Sequence, residues 1–590
     1  MSFEKGQSGE KSTPDPSTTS SFDGGVKKVS GIDADSETCA PPLHLAVNDV
    51  PDAKGMLLFG CQQMLLCISG MLVLPFLVSD IACAGDKTIE LRVQLISSTF
   101  VASGVATLMQ TTFGLRLSIL HGPSFAFIPA LSVYKSLPEN TCPYSRTDQA
   151  PEDFWMSRIR AMEGSLLISS SCLFLLGASG LVGKISRMVG PLCIAPLMVL
   201  LEIGTVPTLI EKMSLHWVSL VEFFVVILLA VILEPYAVPI PYFSIRKRKI
   251  QFTRARIFGM FPYLMSLLMV WFLCWILTVT NFEPPEGEAR TDKNQTVEVI
   301  SNAPWFHIPY PGQFGRPGID ASLLCGFLAS AFACLLENLG DYEMVAKVSQ
   351  QRHPPGAAVN RGIMIEGLGS ILAGAMGIGA GVTTYAENIA LMHITRVASR
   401  ATMQVAGILC IIIGLFTKVA AVLASVPDAI VGGLLGIGMA MIMGVSISNL
   451  RTVNMQLSRN VAVLGLSLLS GLAIPDYFEK HPPKTGNATV DQVLITMLSI
   501  RMLIGGLIAF ILDNTVPGVT KFQRGFPPAG EKHAMVPLEE DGYAFPPFIN
   551  RIFNRFPFLS YFPFLPSQAD LKKTIAEEIV AKKSLENQPV

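Results

Sequence analysis

The sequence predicts an all-α polytopic membrane protein of about fourteen transmembrane segments, set out as a 7+7 inverted repeat with two short broken segments, the third and the tenth. Three observations carry this expectation. Apolar runs long enough to cross about 30 Å of hydrocarbon recur from residue 56 to residue 513. Lys and Arg gather in alternate loops. Two segments of mixed Gly, Pro and polar residues interrupt the pattern seven runs apart, and an odd offset inserts the two halves with opposite polarity.

Composition agrees. Of 590 residues, 50% are hydrophobic and 15% charged, with a mean hydropathy of +0.47. Soluble domains carry about a quarter charged residues. The net charge of −1 offers nothing to a nucleic acid. The 11 Cys form no paired CxxC motifs and the 8 His are scattered, so no metal site or cofactor is expected. No Ser/His/Asp set and no phosphate loop is present either, which argues against an enzyme. A channel is the other class to keep. It needs a continuous polar path, whereas here polar residues concentrate at two breaks, and flux that fails to saturate would favour it.

In chain order, residues 1–50 are rich in Ser, Thr, Asp, Lys and Gly, and are expected to be a disordered cytosolic N-terminus. They contain no apolar signal-peptide region, so the first apolar run doubles as the insertion signal. The membrane domain is expected over 51–513. Its runs fall near 56–78, 93–112, 119–134, 161–180, 189–208, 217–233, 260–280, 319–346, 361–378, 380–393, 403–421, 427–446, 459–475 and 493–512. Residues 514–590 read as a polar cytosolic tail, with a surface helix near 570–585.

Orientation follows from charge. With a cytosolic N-terminus, the predicted inner loops carry Arg116, Lys184 with Arg187, the run Arg246-Lys247-Arg248-Lys249, Arg352 with Arg361, Arg396 with Arg400, Arg451 with Arg459, and Lys521 with Arg524. The predicted outer loops carry Asp80, Asp86 and Glu90, then Glu152 and Asp153, then Glu283, Glu286 and Glu288. Two glycosylation sequons, at Asn294 and Asn487, fall in outer loops. Cys83 and Cys142 lie in consecutive outer loops, an oxidising setting in which a disulfide between them is expected.

The broken segments are His121-Gly122-Pro123-Ser124-Phe125-Ala126-Phe127-Ile128-Pro129 and Gly379-Ala380-Gly381-Val382-Thr383-Thr384-Tyr385-Ala386-Glu387-Asn388. Non-helical backbone at membrane depth is tolerated where it lines a cavity. Glu387 in the second, and Glu337 in the apolar run Leu335-Leu336-Glu337-Asn338-Leu339, are intramembrane carboxylates, each costing a few kcal/mol or more unless it meets a partner or substrate. Asp341, one turn beyond Glu337, suits ion coupling, by Na+ or by a proton. Glu366, after Asn360-Arg361-Gly362, reads as a helix-end residue with no substrate role.

Over about residues 51–520 the chain resembles the nucleobase–ascorbate transporter family. Glu387-Asn388-Ile389-Ala390-Leu391-Met392-His393-Ile394-Thr395-Arg396 is similar to that family's signature, departing at Ala390 where the family has glycine. Glu337-Asn338-Leu339-Gly340-Asp341 resembles its eighth-helix element, and Gln62-Gln63 stands where many members have Gln-His. Phe510-Ile511-Leu512-Asp513-Asn514-Thr515-Val516-Pro517-Gly518 resembles the last helix of the animal vitamin C transporters. The resemblance implies a substrate-carrying core (about 56–180 and 319–421), a gate (about 189–280 and 427–513), elevator-like movement, a homodimer and Na+-coupled import at the plasma membrane.

The substrate turns on Glu387. Ascorbate members have proline there, and uracil-type bacterial members have glutamate in a similar Thr-Thr-Tyr-x-Glu-Asn run. A carboxylate accepts the ring N–H groups of a nucleobase and repels the ascorbate anion. The expected substrate is therefore a nucleobase, uracil or an oxopurine. The alternatives are a Na+-dependent ascorbate transporter and a proton-coupled nucleobase symporter. The expected substrate contacts are Glu337, Glu387, Phe125, Ser124, Ala126, Ala386 and Asn388, with Asp341 at the coupling ion.

Overall fold

The computed structural model describes residues 43–566, apart from 147, 245–248, 286 and 527–540. The disorder expected over 1–50 falls mostly outside the described residues, as do Arg246-Lys247-Arg248 and the helix near 570–585. Over 43–50 it is corrected, because Leu45 and Val47 accept hydrogen bonds from the N–H groups of Ala398 and Arg400, and Val47 is buried.

The helices follow the apolar runs because a bilayer leaves backbone N–H and C=O groups no partner but each other. They are α1 (Ala53–Ala82), α2 (Thr88–Thr112), α3 (Ile128–Ser136), α4 (Glu152–Ser179), α5 (Pro191–Met213), α6 (Val218–Ile227), α7 (Pro262–Val279), α8 (Ala321–Val348), α9 (Gly356–Ala375), α10 (Ala386–Thr395), α11 (Arg400–Leu415), α12 (Asp428–Asn449) and α13 (Ser458–Lys480). A final bent pair follows, α14 (Ala488–Ser499) and α15 (Arg501–Thr515).

Among the described residues, eight helices are long and apolar enough to cross a membrane, or ten if each of two bent pairs counts as one span. One pair is α11 with Thr417–Ala424, bent by 82°; the other is α14 with α15, bent by 65°. The other four expected runs are different in kind. The third and tenth hold α3 and α10, each preceded by a short strand. The sixth is α6 with a π-turn extension, and the ninth, α9, carries buried Arg361 and Glu366. The chain is thus a mostly helical, multi-pass bundle in which ten spans rest on length and apolarity.

The two broken segments meet. Strands β1 (His121–Pro123) and, far along the chain, β4 (Val382–Thr384) pair antiparallel, with His121 opposite Thr384 and Pro123 opposite Val382. This pairing satisfies extended backbone that would otherwise be orphaned at membrane depth. It is locked by Ser124 N–H to Gly381 C=O at 2.8 Å and Tyr385 N–H to Leu120 C=O at 3.0 Å. Gly377 and Gly379 have φ of 72° and 79°, the left-handed region where a side chain is strained, and so turn the chain from α9 into β4. Gly122 has no Cβ because the Tyr385 ring occupies that place, at 2.3 Å from where a Cβ would stand.

Strands β2 (Val238–Ser244) and β3 (Lys249–Ala255) form a separate hairpin between α6 and α7. The sequence showed this region only as a basic run. Around the crossing, α4 packs on α9, α2 on α11, and α5 on both α12 and α15.

The helix ends sort by charge. At the acidic end, Cys83 closes α1 in a left-handed conformation and is joined to Cys142 by a disulfide, with a Cα–Cα distance of 5.7 Å. Asn294 and Asn487, both exposed, lie in the connections at this end. The segment after residue 513, read from sequence as a polar tail, is in part packed on the bundle: Tyr543 and Phe545 are buried. Their rings are held by arginines of the basic end, a pairing of aromatic and guanidinium groups that polarity averages hide.

Candidate functional site

The site grows from the β1–β4 crossing. Beyond each strand the chain turns helical, through a 3-10 turn at Phe125–Phe127 into α3, and directly into α10 at Ala386. A helix start leaves N–H groups without intrahelical acceptors, so two sets of donors converge on the crossing. Some are already used: Ser124 N–H binds Gly381 C=O, and Ala126 N–H binds Ser124 Oγ at 3.2 Å. Phe125 is nearly buried, with its ring edge against Gly438 of α12, where a Cβ would stand 3.2 Å away.

Glu387, in the first turn of α10, stands in the wall of a 440 Å³ cavity. Leu66, Tyr263, Ala390 and Met441 share that wall, together with the polar side chains of Glu234 and His393. The Ala390 side chain therefore lies toward open space, which accommodates the methyl group that departs from the glycine of the resemblance. Glu337, on α8, is buried with Oε2 unpartnered, and Asp341, a turn later, is buried with Oδ2 unpartnered. Both lie within electrostatic reach of Glu387. Glu337, Asp341, Ser124, Phe125, Ala126 and Ala386 do not line the 440 Å³ cavity; Ala386 is half-buried and the other five are buried.

Asn388 faces elsewhere. Its amide nitrogen binds Gln63 Oε1 at 2.6 Å and Gln63 C=O at 3.1 Å, and its oxygen accepts from Cys67. It ties α10 to α1 rather than meeting the cavity. Gln63 is thus the residue that orients this turn, in the place where the resemblance has histidine.

Glu366 is a correction. It sits mid-helix in α9, fully buried, not at a helix end. It accepts hydrogen bonds from Asn338, from Tyr342 Oη at 3.0 Å and from Cys334 Sγ at 3.5 Å. Asn338 in turn accepts from Thr384 N–H at 3.1 Å and Thr383 Oγ1 at 3.3 Å. Through this chain α9 and α8 hold β4, and so Glu387, in place. The alternation of Glu and Asn around Gly-rich helices is too common to have marked it.

Glu202 of α5, visible in the sequence as a glutamate within an apolar run but given no role there, belongs to the same group. It is fully buried, neither oxygen has a hydrogen-bond partner among the described residues, and Glu337 and Glu387 are within its electrostatic reach. Its run, Leu200-Leu201-Glu202-Ile203, carries the same intramembrane-carboxylate signal as Glu337 but no neighbouring motif.

The two ends of the bundle differ. At the acidic end, Asp80 (α1), Arg92 (α2), Arg146, Lys212 (α5), Glu288 and Asp428 (α12) interlock. Arg92 bridges Asp80 at 2.8 Å and Asp428 at 3.0 Å; Arg146 meets Asp80, Asp428 and Glu288; Lys212 meets Asp80. Three cations face three anions, and Arg92, Lys212 and Asp428 are buried. Near the basic end lie the 440 Å³ cavity and a second of 610 Å³ between α5, α8 and α12, bordered by Arg187, Glu343, Lys347, Arg451 and Lys521, while a smaller cavity of 310 Å³ lies at the acidic end, lined by Asp80, Ser132, Thr208 and Lys212.

Comparison with known proteins gives consistent matches. Residues 54–480 match the model of a permease family. Human solute carrier family 23 member 2 is 36% identical over 493 residues, covering 81% of this chain and 75% of that one. Mouse solute carrier family 23 member 1 is 36% identical over 488 residues, covering 80% of each. Nucleobase-ascorbate transporter 12 of Arabidopsis thaliana is 28% identical over 538 residues, covering 83% of this chain and 72% of that one.

Proposed function

The chain belongs to the nucleobase–ascorbate permease family, on its animal branch, and we propose that this transporter imports nucleobases, uracil or an oxopurine, across the plasma membrane with Na+. The observation that carries the substrate class is Glu387 in the wall of a 440 Å³ cavity, with Glu337 buried behind it and one oxygen unpartnered. That volume lies within the roughly 300–1,000 Å³ of small-molecule pockets. Uracil and oxopurines are neutral and set ring N–H donors beside carbonyl acceptors. Carboxylates accept the N–H groups in charge-assisted bonds. The helix starts at Phe125 and Ala386 supply N–H donors for the carbonyls. The Phe125 ring provides a stacking face once the base enters. Ascorbate is an anion, and one carboxylate about 5 Å from it costs about 3 kcal/mol at an effective dielectric near 20.

In this reading α1–α4 and α8–α11 are the core that carries substrate, and α5–α7 with α12–α15 are the gate and the homodimer contact. The ion-pair cluster joins Asp80 and Arg92 of the core to Lys212 and Asp428 of the gate; the 440 and 610 Å³ cavities lie near the other end, and a smaller one of 310 Å³ opens beside Asp80 and Lys212. This supports an inward-facing stage of an elevator cycle, with cytosolic termini at the basic end. Asp341 Oδ2, unpartnered, is the oxygen that would meet Na+, a hard ion suited to a hard ligand. One observation favours proton coupling as a second reading. With Glu202 and Glu366 there are five carboxylates near one another, and protons would balance them as well as Na+. Glu387→Gln tests the proposal: surface expression is kept and nucleobase uptake is lost, because an amide cannot accept both N–H bonds. Unchanged uptake kinetics would remove Glu387 from the site.

A further inference from the structure

The described part of the chain ends in an aromatic segment that the transport reading does not use. It contains α16 (Pro547–Arg555) and a 3-10 turn over Pro557–Tyr561. Both sides of α16 are tethered to the basic end of the bundle. Before it, Arg361 of α9 donates to Tyr543 C=O at 3.1 Å and stacks over the Phe545 ring at 4.2 Å. Arg400 donates to Gly542 C=O at 2.8 Å, and Arg352 pairs with Asp541 at 2.8 Å. After it, Asn360 donates to Pro563 C=O at 3.0 Å, and Pro563 packs over Gly180 at the end of α4. A helix held at both sides in this way lies across the end of the bundle instead of trailing from it.

One face of α16 meets protein, with Asn550 buried and its Nδ2 on Phe545 C=O. The opposite stripe does not. Phe548, Ile552 and Phe556, four residues apart and so on one side of a helix, are 62%, 49% and 46% exposed. Phe558 and Phe562 prolong the exposed apolar surface. Arg551 and Arg555 are exposed beside the stripe, and neither is among the ion pairs of the described residues, which at this end include Arg352 with Asp541 and Arg524 with Asp513. The surface is continuous with the apolar flank of the bundle, because Leu175 and Leu181, either side of the Gly180–Pro563 contact, are exposed as well.

We propose that α16 and the aromatic turn after it form a lipid-binding surface that lies in the headgroup layer of the leaflet at the basic end, with Phe548, Ile552 and Phe556 at the acyl boundary and Arg551 and Arg555 on the phosphates of anionic lipids. Amphipathic helices whose apolar stripe is flanked by Arg bind membranes in this plane, the long side chains reaching up to the phosphates. Charge complementarity selects the occupant: two arginines with no carboxylate partner among the described residues, at the rim of a membrane-embedded bundle, match phosphatidylserine better than they match a second copy of the same cationic stripe.

The test uses the full-length protein in vesicles. Ile552→Trp adds an indole on the stripe to the five native tryptophans, and its signal is the difference from wild type. In vesicles of phosphatidylcholine with brominated phosphatidylserine, that added emission is expected to be blue-shifted and largely quenched. The same fraction of bromine on phosphatidylcholine should quench it less. Arg551→Gln with Arg555→Gln in the same background should erase that difference. Red-shifted, unquenched emission would mean that the stripe faces water, and blue-shifted, unquenched emission that protein covers it; either overturns the proposal. Equal quenching by both brominated lipids before the arginine substitutions would overturn the anionic preference. None of these readouts requires transport.

Discussion

Replacing Glu366 by Gln keeps side-chain volume and changes only what the group can accept. In the native arrangement the carboxylate takes hydrogen bonds from the Asn338 amide, the Tyr342 hydroxyl and the Cys334 thiol. Tyr342 itself already accepts from Gln110 at 2.8 Å. An amide at 366 has one accepting oxygen, and its NH2 group is turned toward another donor. At least one buried donor is left unpaired, at a cost of about 1–3 kcal/mol, roughly a 5- to 150-fold shift in the folding equilibrium. The loss is transmitted, because Asn338 is also what holds Thr383 and Thr384. With Asn338 free to rotate, β4 loosens beside Glu387. The purified Glu366→Gln protein should therefore unfold at a lower temperature than wild type, and KM for the nucleobase should rise. A thermal melt in detergent and concentration-dependent uptake read the two effects. An unchanged melting temperature together with an unchanged KM would refute the reasoning, since the three donors would then not need a carboxylate.

Three further outcomes follow from other parts of the molecule. Asn294→Gln should move the protein on a gel to the position of enzymatically deglycosylated material, or close to it if Asn487 also carries a glycan; labelling of residue 294 by cytosolic probes alone would invert the assigned orientation. Asp341→Asn should weaken the dependence of uptake on Na+ and not merely lower the maximum rate, whereas uptake that ignores replacement of Na+ by choline and rises as external pH falls would assign the coupling to protons. Asp428→Asn removes a buried anion shared by Arg92 and Arg146, a change that costs a few kcal/mol at a buried ion pair. It should open the acidic end, so that a cysteine placed at Ser132, which faces Thr208 across the seam at 2.6 Å, reacts faster with an impermeant maleimide than in the Ser132→Cys protein alone; equal rates would mean that the cluster does not hold this end shut.

The parts of this architecture that are local in sequence could be read from it. Hydrophobic runs place most of the helices to within a few residues, since a span needs only length and apolarity, while α3, α4 and α10 begin six to nine residues from the start of their runs. The breaks at 121–129 and 379–388 announce themselves through Gly, Pro and intramembrane Glu. Their pairing as β1 and β4 was beyond reach, because strand pairing is a contact across more than 250 residues and no periodicity records it. The same holds for Asp80 and Asp428, brought to one arginine from opposite halves of the chain. Asn388 was read as a site residue from its place in a motif. Its side chain turned out to depend on Gln63, on a helix more than 300 residues away. The aromatic segment at 541–566 was lost to an average, since Lys, Glu and Pro around it dilute a pattern that is sharp only on one helical face.

The central claim is that this site reads a neutral heterocycle through two carboxylates. Uptake of labelled uracil and labelled ascorbate, by cells expressing the full chain with and without external Na+, tests it most directly. The account predicts saturable uracil uptake that requires Na+, and no ascorbate uptake above background. Saturable ascorbate uptake without uracil uptake would contradict it, and the buried carboxylates at 337 and 387 would then need a different explanation.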